Sequence, residues 1–364
     1  MKKIYKGLII GIIALSVIII LITIFILYSN KDSKDSINVA EDQKYYTITL
    51  VDAGIGNDKF NEVKMIDDTI YYYSKEEGKY GKIFIENEIP KSEILASGLY
   101  DVSDIQISPL KNNLLYLDNK TKIYNIYNLQ TEIREKFNKY ILSAIWNPFK
   151  KEDVVIGSYY DPPYSNINNY DIKSNKREKL FDIPLGSALI KDVSFDSKDT
   201  IYVVMVYDEN EFLVFEESVY FNIYDFDKNE AVFNVEQAPD GKFNNDGSKI
   251  LISKIVSENI SELLILNAET YEEKKINLDI DFDKIEFTNN SNILVYAQTT
   301  KEGLNESVND VLWKVDITSG EKTQLTELNE NIKYDISNIM ISSDNKNIYF
   351  INKYDKKLYQ VVIE

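Results

Sequence analysis

The sequence predicts an all-β fold: a β-propeller of four-stranded antiparallel blades, preceded by one N-terminal transmembrane helix. Three observations predict it. A short phrase recurs along the chain, in which an apolar residue is followed by a polar turn of Ser, Asn, Asp, Pro or Gly and then by a run of β-formers. Ile107-Ser-Pro-Leu-Lys-Asn-Asn-Leu-Leu-Tyr116 and Phe243-Asn-Asn-Asp-Gly-Ser-Lys-Ile-Leu-Ile252 are two copies, and others start at Trp146, Phe195, Phe287 and Ile341. Self-similarity at a spacing of about 40–50 residues marks an architecture of repeated units. The second observation is composition. Tyr (27) and Phe (16) are abundant, Gly (13) and Pro (7) are sparse, and aromatic residues favour strands. The third is the unbroken apolar run from Leu8 to Tyr28, about the length a membrane helix needs.

Each repeat continues in the same way after its turn. A second strand, a variable loop, a third strand ending in polar residues, a short turn and a fourth strand complete the unit. The third strands are read at Lys122–Leu129, Asn169–Ile172, Val219–Phe226, Glu262–Asn267, Val311–Ile317 and Lys357–Val362. Turns such as Lys173-Ser-Asn-Lys176 and Thr318-Ser-Gly-Glu321 follow two of them, with Ser, Asn and Gly supplying the turn conformations. Six units have first strands near Ile105, Ala144, Val193, Lys242, Ile285 and Ile339. An eroded copy, Val63 to Tyr73 followed by Lys82-Ile-Phe-Ile85, makes seven blades; six is the alternative if residues 60–95 do something else. The last blade supplies only three strands before Glu364. The orphan strand Tyr45-Tyr-Thr-Ile-Thr-Leu-Val51 is therefore expected to pair with it as its outer strand, closing the ring and protecting an edge.

This pattern resembles the TolB-like propeller repeat, in which a Ser-Pro-Asp-Gly-Lys turn precedes the second strand. The resemblance covers residues 60 to 364. Pro109 and Pro148 keep the Pro, and Asp246-Gly247 and Asp344-Asn345 keep the Asp with a turn former. Pro239-Asp-Gly-Lys242 matches the motif but is out of register, and is placed in an inter-blade loop. The resemblance implies the fold and says little of function, because propellers host unrelated activities.

The N-terminal run has Lys2, Lys3 and Lys6 before it, and Lys31 and Lys34 after it interleaved with Asp32 and Asp35. The positive-inside rule puts the N-terminus in the cytoplasm. The run is longer than a signal-peptide core, and Ile26-Leu-Tyr-Ser-Asn30 is a poor cleavage site, so it reads as an uncleaved signal anchor. The predicted organisation is a cytoplasmic N-terminus (1–7), a transmembrane anchor (8–28), a flexible polar stalk (29–44) and an extracytoplasmic propeller (45–364) in the cell membrane.

Absences narrow the chemistry. The chain has no Cys and no His, which removes thiol nucleophiles, lipidated Cys, Ser-His-Asp catalysis and His-ligated metals. Arg occurs only at Arg134 and Arg177, too few for a three-Arg carboxylate clamp. A net charge of −18 disfavours nucleic acid, whose binding needs a basic patch. No cofactor, metal or catalytic residue is assigned. Asp279-Ile-Asp-Phe-Asp283 lacks the Gly-bearing loop of a calcium site and reads as an inter-blade crossing with solvated acids. Trp146 and Trp313 read as core.

In four-stranded blades the turns between strands one and two share a face with those between three and four. The connections between strands two and three share the other face with the inter-blade crossings. The first set is short. The second is long at Tyr159–Asn166, Asp208–Glu217 and Thr299–Ser307, and elaborated loops on a rigid scaffold are where function concentrates. The expected ligand contacts are Tyr159, Tyr160, Asp161 and Tyr164, with Glu209, Glu211, Glu216 and Glu217. The expected function is binding of an envelope protein, peptide or glycan rather than catalysis. The alternatives are a carbohydrate-active enzyme using Asp/Glu pairs and a structural subunit of a membrane complex.

Overall fold

The structure is a computed structural model. It describes residues 44–363 apart from 55–58, 87–88, 138–140, 148–153, 162–163, 175, 184–186, 196–200, 209–218, 226–229, 258–259, 279, 300–307 and 330. The segments 1–7 and 8–28 and nearly all of 29–44 lie outside the described residues. Among the described residues no helix is long and apolar enough to cross a membrane.

The described residues form seven four-stranded antiparallel sheets. Blades 1 to 6 span residues 62–97, 102–136, 141–183, 187–236, 240–276 and 285–324, each with its four strands in sequence order. Blade 7 takes three strands, Ile336–Ile341, Asn347–Asn352 and Lys357–Val362, from the C-terminus. Its fourth is Ile48–Leu50, with Ile48 opposite Val361 and Leu50 opposite Tyr359. The orphan strand thus closes the ring, as the missing fourth strand required. Tyr46 N also donates to Leu325 O at the end of blade 6 (2.8 Å), and Val51 N to Leu358 O of blade 7 itself (3.0 Å), so the segment is tied to its own blade and to the one before it.

Strand alternation explains where the core sits. Successive residues of a second strand point to opposite faces of its blade. In blade 6, Leu294 and Tyr296 pack with Leu251, Leu263 and Ile265 of blade 5. Their alternates Val295 and Ala297 pack with Ile336, Ile348 and Phe350 of blade 7. The same division puts Tyr71 and Tyr73 against blade 2, and Ile70 and Tyr72 against blade 7. The core is therefore a ring of inter-blade seams, with the strands carrying consecutive apolar residues that a doubly covered sheet demands. Trp146 and Trp313 are buried in these seams.

The recurring phrase acquires a physical role here. In five blades the residue that follows the first strand is short, polar and buried: Ser108, Asn147, Asn244, Thr288 and Ser342. Its side chain caps its own turn. Ser108 Oγ accepts from Asn113 N (3.2 Å), Ser342 Oγ from Asn347 N (2.9 Å) and Asn244 Oδ1 from Lys249 N (2.9 Å). Neighbouring turns are then tied together around one face. Asn245 Nδ2 donates to Asn289 Oδ1 (2.5 Å), and Asn289 donates to Ser342 O (2.8 Å) and, through its backbone N–H, to Asn345 Oδ1 (2.9 Å). Ser343 N donates to Asp68 Oδ1 (2.7 Å), and Lys111 pairs with Asp67 (2.8 Å). The belt runs from blade 5 through 6, 7 and 1 to blade 2.

Two expectations about local structure need correcting. Pro239-Asp-Gly-Lys242 is not in an inter-blade loop: Asp240–Phe243 is the first strand of blade 5, opposite Ile250–Ser253. The out-of-register reading holds, but the tight turn that Asp-Gly promises is made later, at Asp246-Gly247. There Gly247 adopts φ 71°, and Asp246 Oδ1 accepts from Ser248 N (2.9 Å). Likewise, Tyr159–Asn166 is not a long loop. Val154–Asp161 and Tyr164–Asp171 are paired along their full lengths, with Asp161 opposite Tyr164 and only residues 162–163 between them. The aromatic and β-branched content of that stretch extended the hairpin instead of opening it.

Candidate functional site

The first strands carry polar side chains that bridge to the next blade. Glu62 Oε2 of blade 1 accepts from Ile105 N of blade 2 (3.1 Å). Gln106 Nε2 of blade 2 donates to Ala144 O of blade 3 (3.1 Å), and Lys242 Nζ of blade 5 to Ile285 O of blade 6 (2.6 Å). Lys242 also pairs with Glu286 (2.8 Å) and lies 5.2 Å from the ring centre of Phe282. β-Bulges in the first strands of blades 2 and 7 put Asp104 and Asn338 at φ 51°, which local side-chain bonding makes accessible to Asp and Asn. First strands of blades 5, 6, 7 and 1 line one cavity of about 330 Å³ that includes Lys64, Lys242, Glu286, Asn338 and Met340. Because four blades contribute, this is the wall they share around the ring's axis. An adjoining cavity of about 260 Å³ holds Glu62, Lys64, Tyr71, Tyr80 and Asn338.

Glu62 is the carboxylate of this wall with a displaced titration. Burial pushes its pKa up, the hydrogen bond from Ile105 N opposes the shift, and the charge of Asp104 adds to it. Asp104 in turn accepts from Gln106 Nε2 (2.9 Å) and from the Tyr124 hydroxyl. A carboxyl with a raised pKa is costlier to ionise in the fold than in the unfolded chain. The cost therefore grows as pH rises through the ordinary carboxylate range and is fully present at neutral pH. Glu62→Gln is expected to raise the melting temperature at pH 7 by about 1–3 °C and to leave it unchanged at pH 3. Thermal unfolding at the two pH values checks this.

On the opposite side of the disc from the turn belt, a network joins blades 6 and 7. Lys284 is buried, and its Nζ meets Asp310 Oδ2 (2.6 Å) and Asp335 Oδ1 (2.8 Å). Asp310, with no side-chain exposure, also accepts from Ile336 N (2.8 Å) and Thr299 Oγ1 (2.7 Å). Burial alone would depress the lysine pKa, but the two carboxylates outweigh it and hold the pKa raised. Lys284 lies in the short 3-10 turn Phe282–Lys284, at the end of the stretch Asp279–Asp283 read as an inter-blade crossing. Ile280 and Phe282 pack on the blade 5–6 seam, Asp283 pairs with Lys353 (2.8 Å), and Asp279 lies outside the described residues. Beside this network a cavity of about 550 Å³ opens between blades 5 and 6.

The sequence-predicted contacts are distributed as follows. Tyr159, Tyr160 and Asp161 end the second strand of blade 3, and Tyr164 starts its third, so all four belong to one hairpin tip on the face away from the turn belt. Glu209, Glu211, Glu216 and Glu217 lie outside the described residues, as does 300–307 of the third predicted loop. Glu62, Lys242 and Lys284 escaped sequence reading. Their one visible signal is an ionisable residue inside an otherwise strand-forming stretch, as in Phe282-Asp-Lys-Ile-Glu-Phe287.

No family model matches the chain, and no curated protein matches it. Solved structures do. The β-propeller domain of Cps50 (Swd1) from Myceliophteria thermophila aligns with a TM-score of 0.57 at 11% identity, over 87% of this chain and all of that domain. An oligogalacturonate lyase in complex with manganese aligns with a TM-score of 0.57 at 12% identity, over 88% of this chain and 97% of that one. The oligogalacturonate lyase of Vibrio parahaemolyticus aligns with a TM-score of 0.56 at 11% identity, over 89% and 98%. At such identity the likeness is one of fold alone, and a fold does not fix a function. By this likeness and by its own seven sheets, the chain is a β-propeller.

Proposed function

We propose that the protein is a membrane-anchored, extracytoplasmic, TolB-like propeller that acts by binding. It holds an envelope protein, peptide or glycan on the face that carries the connections between second and third strands. Residues 8–28 anchor it with the N-terminus in the cytoplasm, and nucleic acid is not a partner. The observation that carries the reading is the contrast between the two faces. The 1–2 turns are bonded turn to turn across five blades and have their polar groups occupied. The other face carries the long 2–3 hairpin of blade 3, and the stretches of sequence between second and third strands are longest at 209–218 and 300–307. Tyrosines at a hairpin tip suit recognition, because they supply large amphipathic contact area with few rotamers to freeze.

The test is affinity capture, after crosslinking, of the full chain from its own membranes. Replacing Tyr159, Tyr160 and Tyr164 together by Ala is expected to reduce the captured partner about tenfold or more, as loss of a central aromatic cluster does. A second reading, an enzyme acting on extracytoplasmic carbohydrate, is favoured by one observation, the raised Glu62 carboxyl beside Asp104 in the channel wall. Turnover of an oligosaccharide by the parent chain that disappears in Glu62→Gln would select that reading instead.

A further inference from the structure

One position of the repeat is used by the fold in two blades and left over in a third. Tyr71 of blade 1, Leu115 of blade 2 and Leu251 of blade 5 hold the same place in their second strands. Each is the first residue after the 1–2 turn to pack toward the following blade, next to one (Ile70, Leu114, Ile250) that packs toward the preceding blade. The first-strand residues opposite them are Lys64, Gln106 and Lys242. Gln106 and Lys242 donate to the following blade, at Ala144 O and Ile285 O. In blade 1 the bond to the following blade is made instead by Glu62, which accepts from Ile105 N. Lys64 is exposed, and its ammonium has no hydrogen-bond or ion-pair partner among the described residues. It lines both axial cavities.

The same wall supplies a second donor. Asn338 is exposed at the bulge of blade 7's first strand and also lines both cavities. Its amide makes one long contact, from Nδ2 to Ser337 Oγ (3.5 Å). The other charges of the larger cavity are paired, Lys242 with Glu286 and Asp283 with Lys353. Lys64 is therefore the uncompensated charge of that lining among the described residues. An ammonium and an amide N–H₂ suit the two oxygens of a carboxylate. No Arg lines the cavity to grip a phosphate bidentately. Half-buried Val63, Met65 and Phe282 offer apolar surface to a short hydrocarbon body. The volume, about 330 Å³, falls at the lower end of the range of about 300–1,000 Å³ of small-molecule sites.

We propose that the axial cavity bounded by blades 5, 6, 7 and 1 binds a short-chain organic monocarboxylate, held by the Lys64 ammonium and the Asn338 amide. This site goes beyond the binding face assigned above and does not rest on it. Glu62 lines only the adjoining cavity, where Ile105 N engages its carboxylate.

The experiment is isothermal titration of the full-length chain, in a nonionic detergent, with butyrate, with its neutral isostere butyramide and with inorganic phosphate. Butyrate is expected to bind with millimolar or tighter affinity and the other two at least tenfold more weakly. Lys64→Met is expected to weaken butyrate about tenfold or more, the loss of one charge-assisted hydrogen bond. Asn338→Gly, which keeps the φ of 51° accessible, is expected to weaken it about threefold to tenfold. Lys111→Ala removes the same charge outside the cavity and is expected to leave the affinity unchanged. A second readout separates a ligand role from a structural one. Because the Lys64 ammonium has no partner in the fold, ligand-free Lys64→Met is expected to melt within about 1 °C of the parent. The site would be overturned by an absence of saturable butyrate binding, by butyramide or phosphate binding as tightly, or by parent-like affinity in both cavity variants. An equal loss in Lys111→Ala, or a melting temperature several degrees lower in Lys64→Met, would overturn it too. Capture of a protein partner that depends on Tyr159, Tyr160 and Tyr164 would stand independently of those results.

Discussion

Replacing Lys284 with Met is expected to destabilise the propeller by about 3–5 kcal/mol, the cost of removing one partner from a buried ion pair. Two carboxylates converge on this ammonium, and one of them, Asp310, has no exposed side-chain surface. Without the cation, Asp310 faces an apolar seam while still accepting from Ile336 N and Thr299 Oγ1. An unpaired charge there must be neutralised or hydrated. Adding Asp310→Asn to the lysine variant is expected to recover a large part of the loss, because the amide oxygen keeps the Ile336 bond without the charge. Urea unfolding of the two variants checks this, and a cost below about 1 kcal/mol for Lys284→Met would refute it. The pH dependence has a definite sign. A lysine whose folded pKa is raised stabilises fully at neutral pH, and the contribution is lost as pH climbs through that raised value.

Deleting residues 45–51 is expected to lower the melting temperature by roughly 10 °C and to make the chain associate. Tyr46, Ile48 and Val51 pack against the seams on either side of blade 7, and their partial burial is worth on the order of 5 kcal/mol. The backbone effect matters as much. With Ile48–Leu50 gone, Lys357–Val362 becomes an open edge strand, a template for another chain. Blades 6 and 7 also lose the tie between Tyr46 N and Leu325 O. Calorimetry with light scattering measures both effects. A monomer with an unchanged melting temperature would show that the ring does not depend on this closure.

The two variants probe opposite ends of what was legible in the sequence. Ring closure was readable because it follows from counting: three terminal strands lack a fourth, and Tyr45–Val51 is a strand without a blade. The eroded first copy was readable because Thr69–Ser74 keeps a run of β-formers even where its turn is reduced to Asp67-Asp68. The Lys284 network was not readable. Its members are 26 and 51 residues apart, and only the folded ring brings them together. The same holds for the belt of turns. The polar residue after each first strand is plain in the sequence, but its bond to the next turn crosses 44 residues from Asn245 to Asn289 and 275 from Asp68 to Ser343. The Tyr159–Asn166 stretch misled because two consecutive prolines suggest a broad loop. The structure instead keeps the residues before and after them paired, so that the tyrosines belong to the ends of two paired strands.

The propeller's asymmetry is the centre of this account: on one face the turns of five blades are bonded to one another, and the other is the face proposed for binding. The most direct measurement is paired affinity capture from native membranes, with one variant for each face. Replacing Tyr159, Tyr160 and Tyr164 with Ala is expected to reduce capture about tenfold or more, while Lys111→Ala, on the belt of turns, leaves it at the parent level. Capture that survives the tyrosine replacements, or that is lost with Lys111→Ala alone, would contradict the assignment of the binding face.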